Sequence, residues 1–268
     1  MPFVTAGGRR LEYEWVGAPA GDAARAARGP VVVMLHEGLG SVALWRDFPA
    51  AVAEAVKLPV LVYSRWGYGK SEPIPHGPRP PDYMTPEGRE ALPELLTRLG
   101  VARPILLGHS DGGSIALIHA GSGVAPAPLG VITMAAHVFV ETVSTISIAK
   151  ARVAYEESDL RAKLARFHDD VDGAFYSWNC TWLLPAFIRG FNIEDDVARI
   201  RCPITAIQGE QDEYGTVRQL ESIRARSGGR AEIVLIPDCR HSPHRDQKAA
   251  TLGAIQRHVQ RALAAAAA

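Results

Sequence analysis

The chain alternates short apolar runs with segments whose apolar residues recur every three or four positions. Val31–Leu35, Val60–Tyr63, Pro104–Leu107, Gly130–Ala135, Ile204–Gln208 and Glu232–Ile236 are apolar at nearly every position. Such runs mark strands buried on both faces of a parallel sheet. Between them, Leu44, Trp45, Phe48, Ala51, Val52 and Ala55 fall at helical spacing across Ser41–Val56. Pro86–Leu99 reads as a helix with Thr85 as a possible cap, and Val217–Ser227 and Lys248–Ala265 read as two more. Phe3–Val16 predicts two short strands around Gly7-Gly8. Gly17–Pro30, rich in Ala, Gly and Arg, predicts a surface loop, and the proline-dense Pro73–Pro86 an ordered irregular one.

After His137 the pattern changes. From Val140 to about Asp196 no buried strand is legible. The segment looks helical, with Phe167, Phe175, Tyr176, Trp178, Trp182, Phe187 and Phe191 crowded into its second half. The chain therefore divides into an α/β core, 1–136 and 197–268, and a helical insertion, 137–196. Repeated strand–helix alternation predicts a mostly parallel, doubly wound sheet with helices on both faces. The alanine-rich end, Leu263–Ala268, reads as a fraying helix.

Composition narrows the function classes. Lys plus Arg and Asp plus Glu number 29 each, so no bulk field attracts nucleic acid or an anionic membrane. Cys180, Cys202 and Cys239 are widely spaced and odd in number, which gives neither a disulfide framework nor a metal pattern. No secretory signal is visible after Met1, and no run approaches the roughly 18 apolar residues of a membrane span. These features predict a cytoplasmic protein whose partner is a small-molecule substrate, as a monomer or a homodimer.

The candidate chemistry starts at Gly108-His109-Ser110-Asp111-Gly112, which follows an apolar strand and opens a small-residue helix. Strand, tight turn and helix in that order expose a serine hydroxyl as a nucleophile. The turn holds Ser110 in a strained backbone conformation, and Gly108 and Gly112 stand where side chains would collide with neighbouring elements. The Asp111 amide, at the helix start, faces developing negative charge. A serine needs a base and a group to orient it. Two late strands end in Gly209-Glu210-Gln211-Asp212-Glu213 and Pro237-Asp238-Cys239-Arg240-His241-Ser242-Pro243-His244. Functional groups of parallel sheets collect beyond such carboxyl ends. Asp238 and the Asp195-Asp196 pair compete with Asp212, the first as a turn former and the pair as solvated charge. His244 competes with His241. His-x-x-His has no third ligand nearby, so no metal is expected.

These motifs resemble those of the α/β-hydrolases. The His36-Glu37-Gly38 loop, the Gly67-Tyr68-Gly69-Lys70-Ser71 turn, the serine elbow, the Asp212 loop and the His241 loop stand in that family's order over nearly the whole chain. The resemblance implies Ser110 as nucleophile, His241 as general base and Asp212 as its orienting acid. It also implies an oxyanion hole from the amides of Asp111 and Gly38, with Leu39 competing for the second place, and an insertion that roofs the serine. Leu39, Trp178 and Trp182 are the expected substrate contacts. Two departures stand out. Glu37 occupies a position where the family commonly has glycine, and Asp111 one where many relatives carry a large apolar residue.

The expected activity is hydrolysis of a small or medium carboxylic ester through an acyl-enzyme, without cofactor. Cleavage of a carbon–carbon bond in a vinylogous diketone from aromatic degradation, or of a thioester or lactone, would use the same three residues. A non-catalytic ligand-binding protein on this fold is the alternative of a different class. His36 is expected to serve loop structure.

Overall fold

The computed structural model describes residues 1–17 and 27–267. Most of the surface loop expected over Gly17–Pro30 lies outside the described residues, as does Ala268.

Among the described residues, eight strands form one sheet: β1 (Phe3–Ala6), β2 (Arg9–Val16), β3 (Pro30–Leu35), β4 (Val60–Tyr63), β5 (Arg103–His109), β6 (Gly130–Met134), β7 (Ile204–Gly209) and β8 (Ala231–Ile236). Their spatial order is β1-β2-β4-β3-β5-β6-β7-β8. β1 and β2 pair antiparallel, as do β2 and β4. From β4 to β8 every pairing is parallel. Gly7 and Gly8, at φ 59° and 69°, make the β1–β2 turn that most residues resist.

The unbroken apolarity of the inner strands has a direct cause. In β3, Val31, Val33 and Leu35 enter a core on one face, while Val32 and Met34 enter a second core on the other. Helices α1 (Phe48–Val56) and α11 (Lys248–Ala265) cover the second face through Phe48, Val52, Ile255 and Val259. Helices α2 (Leu92–Arg98), α3 (Asp111–Ser122), α8 (Glu194–Arg199) and α9 (Arg218–Arg226) cover the first. The sheet is thus doubly wound, as predicted.

Between β6 and β7 the chain runs through α4 (Thr142–Glu157), α5 (Leu160–Leu164), α6 (Val171–Trp182), α7 (Pro185–Gly190) and α8, with no strand among them. Only an isolated bridge, Phe139 to Asn192, ties the start of this stretch to its end. α10 (Pro243–Asp246) follows the last strand.

Two helix boundaries depart from the periodic reading. The Ser41–Val56 pattern splits into a 3₁₀ turn, Ala43–Trp45, and α1, because Arg46 takes φ 55° between them. The helix expected from Pro86 begins at Met84 and passes through a π turn, Glu87–Ala91, before α2. Pro93 has no N–H to close an α turn onto Arg89. Thr85 makes no cap there.

Candidate active site

Ser110 sits between β5 and α3 at φ 50° and ψ −119°, a conformation held by its amide donating to the Met134 carbonyl at 2.8 Å. The flanking glycines are required by space. A Cβ on Gly108 would lie 2.3 Å from the Gly112 carbonyl oxygen, and one on Gly112 2.2 Å from that of Leu35. Both obstacles are backbone and cannot swing aside.

The ends of the two late strands bring the partners in. His241 Nε2 lies 3.1 Å from Ser110 Oγ, and Nδ1 lies 2.8 Å from Asp212 Oδ1. The same carboxylate oxygen accepts from the Tyr214 amide at 2.9 Å. With Nδ1–H donated to Asp212, Nε2 presents its lone pair to the serine. Burial alone lowers the His241 pKa, but the Asp212 charge and hydrogen bond, with Glu213 and Glu37, outweigh it and raise it above the ordinary imidazole value. Burial disfavours the Asp212 charge, yet His241 and the Tyr214 amide hold that carboxyl below its usual range.

The competing residues have other roles. Asp238 is a turn residue at φ 50°. Asp196 is not solvated: it is buried and bridges Arg89 at 2.8 Å and Arg199 at 2.5 Å. His244 packs against Trp45, Phe48 and His109 with ring separations of 5.0 to 5.2 Å. Burial pushes it down to about 2, with His109 adding to the effect. Among the described residues no group of three or more His, Cys, Asp or Glu is arranged to hold a metal. Gly67 and Gly69, both at positive φ, make the Tyr68 segment a turn.

The His36–Gly38 loop is gripped from behind. The Glu37 carbonyl accepts from His36 Nδ1 at 2.6 Å and from Arg65 Nη2 at 2.9 Å, and His36 Nε2 in turn accepts from the Arg65 amide. His36 thus serves loop structure, as expected. Because the Glu37–Gly38 peptide is trans, holding its carbonyl points the Gly38 N–H to the opposite side. Among the described residues no acceptor takes up the Gly38, Leu39 or Asp111 amide. The Leu39 carbonyl is held by His168 Nε2 at 2.9 Å. His109 Nε2–H donates to the His241 carbonyl at 2.7 Å, and its Nδ1 lies 3.5 Å from Glu37 Oε2. One histidine therefore touches both loops.

Asp111 is fully buried, and its carboxylate is taken up by three side chains. Tyr83 Oη donates to its Oδ2 at 2.5 Å, Trp182 Nε1 to its Oδ1 at 3.2 Å, and Arg65 Nη2 lies 3.6 Å from Oδ2. A charge that would oppose an oxyanion is thereby compensated within its own network.

A cavity of about 340 Å³ opens over Ser110. The expected contacts Leu39, Trp178 and Trp182 all line it, with Ile148, Leu160, Leu164 and Phe167 from the helical stretch. A Cβ on Gly38 would lie 2.1 Å from Trp178 Nε1, so that indole closes directly over the loop. Trp182 also donates its indole N–H to Asp111. Phe187 and Phe191 stack on each other at 4.9 Å and pack the segment instead. Sequence reasoning missed Tyr83, Arg65, His168 and His137. His137, whose position after a buried strand was its only signal, stands in the cavity wall.

Sheet order, elbow and late-strand partners define a class. The alpha/beta hydrolase family model matches residues 32–254, and the chain belongs to that family. Over 97% of the chain and 100% of the other, it superposes on an enol-lactonase from Burkholderia xenovorans LB400 with a TM-score of 0.73 at 21% identity. A membrane phospholipase A described as a bacterial virulence factor gives 0.74 at 17% identity, over 98% and 86% of the two chains. A proline iminopeptidase from Mycobacterium smegmatis gives 0.72 at 18%, over 98% and 99%. At these identities the likeness shows the fold. A search of curated proteins finds no match to the sequence. No described helix is long and apolar enough to cross a membrane.

Proposed function

We propose that this hydrolase cleaves small or medium carboxylic esters through an acyl-enzyme. The observation that carries the reading is the unbroken hydrogen-bonded line from Ser110 Oγ through His241 to Asp212. Ser110 Oγ attacks the ester carbonyl as its proton passes to His241 Nε2, and the imidazolium is held by Asp212. The amides of Gly38 and Asp111 receive the oxyanion, each contributing roughly 3 kcal/mol to the transition state. His241 then protonates the leaving alkoxide, and the acyl group stays on Ser110. A water that gives its proton to His241 attacks the acyl carbon, the bond to Ser110 Oγ breaks, and His241 returns the proton to Oγ as the acid leaves.

Residues 137–196 act as a cap, since Ile148, Leu160, Leu164, Phe167, Trp178 and Trp182 share a cavity with Ser110. A volume of about 340 Å³ lies at the small end of ligand pockets and favours a short or medium acyl chain. Three free cysteines fit a reducing cytoplasm. Turnover of p-nitrophenyl esters of graded acyl length tests the reading: activity on short chains that declines as the acyl part outgrows the cavity supports it. No turnover at any length contradicts it.

A further inference from the structure

The cavity wall beside His241 contains a second imidazole that the hydrolytic steps do not use. His137 follows β6 and is 2% exposed. Among the described residues its Nδ1, which is closed off from open space, has no hydrogen-bond partner. Its Nε2 also has none among the described residues. Buried polar atoms are nearly always paired, so an imidazole in a cavity wall with neither nitrogen partnered calls for a ligand.

The ring is held in place even though its nitrogens are free. The His137 amide donates to Ser114 Oγ at 3.2 Å, and that hydroxyl donates to the His137 carbonyl at 2.6 Å. Ser114 lies one helical turn beyond Ser110. The imidazole stands edge-on to the Trp182 indole at 5.0 Å. Backbone and ring are thus pre-positioned from two elements, as in a built binding contact.

The neighbours select the ligand chemistry. His241 lies 6.0 Å away ring to ring, and its Nε2 is 3.1 Å from Ser110 Oγ. The charges of Asp212 after β7, Glu141 before α4 and His109 at the end of β5 also act on the ring. Burial, reinforced by His241, pushes the imidazole down to about 4. The neutral ring carries one donor and one acceptor, the pair that a hydroxyl complements.

Resting on the reading of Ser110 as the nucleophile, we propose that His137 selects esters whose acyl part carries a hydroxyl on the first or second carbon from the scissile carbonyl. The imidazole exchanges a hydrogen bond with that hydroxyl.

The test compares methyl butyrate, methyl 2-hydroxybutyrate and methyl 3-hydroxybutyrate by acid release. The wild type is expected to favour a hydroxylated ester in kcat/KM by about tenfold or more. His137→Phe, which keeps the contact with Trp182, brings that ratio close to one without lowering the melting temperature. His137→Asn, which keeps a donor and an acceptor, restores part of the preference. A wild type indifferent to the hydroxyl overturns the proposal. So does a His137→Phe variant that loses all three esters equally, which would assign the ring to holding Asp212 or His241. Calorimetry of the three methyl esters with Ser110→Ala reads the contact without turnover, and equal affinities also overturn it. Fluorophosphonate labelling of Ser110 reports separately on the nucleophile.

Discussion

The Trp182 indole donates its N–H to the Asp111 carboxylate at 3.2 Å, joining a helix of the 137–196 stretch to the residue after Ser110. Tyr83 and Arg65 complete the same network from two further loops. Asp111→Ala leaves the Arg65 guanidinium buried without its carboxylate, and a stability loss of about 3–5 kcal/mol follows. Asp111→Asn keeps the hydrogen-bonded shape and is the milder change. Urea unfolding of both variants measures the difference.

The elbow glycines carry a steric prediction. Gly112→Ala drives a Cβ to 2.2 Å from the Leu35 carbonyl oxygen. Strand and helix must separate at the centre of the sheet, which costs about 1–3 kcal/mol or more. Thermal unfolding reads the loss, and ester turnover falls with it because Ser110 moves.

Activity depends on a neutral His241. Its pKa is raised in the folded protein, chiefly by Asp212 acting against burial, so kcat/KM rises along a limb centred above the ordinary value of 6.5. In Asp212→Asn the charge is gone and the limb moves to lower pH. The rate falls by about 10⁴ as well, because the imidazole loses its tautomer and orientation. A pH–rate profile of the two proteins shows both effects.

Stability has its own pH dependence. Burial lowers His137 to about 4 and His258 to about 3, helped by His241 in the first case and Arg261 in the second. Groups depressed in this way stabilise the fold above the unfolded value of 6.5. That contribution is lost as pH falls toward their folded values, by about 1.4 kcal/mol per pH unit for each histidine. His241, shifted upward, has the opposite sign: its contribution is present below 6.5 and lost as pH rises through its folded pKa. Urea midpoints are therefore expected to fall from pH 6.5 to 4. The slope flattens in His258→Gln, a change far from Ser110.

The inner strands were legible because burial on both faces leaves only apolar residues, as in Val31–Leu35. Ser110 and Asp212 were legible because each follows such a strand, where a parallel sheet exposes its chain ends; His241 follows the edge strand β8, apolar in sequence but only half-buried, with Leu235 exposed. Tyr83 and Arg65 were not. Each joins Asp111 only after separate loops fold together, and neither carries a local pattern. Asp196 was misread as solvated since Arg89, its partner, lies 107 residues away. Helix ends were displaced where Arg46 and Pro93 interrupt a periodicity that their apolar neighbours continue.

The most direct test of the central claim is p-nitrophenyl ester hydrolysis by the wild type and by Ser110→Ala, with the acyl-enzyme sought by mass spectrometry under rapid quench. The account predicts an acyl mass on the peptide containing Ser110 and a fall of about three or more orders of magnitude in kcat for the variant. Retained turnover in Ser110→Ala, or acylation at another residue, would contradict it.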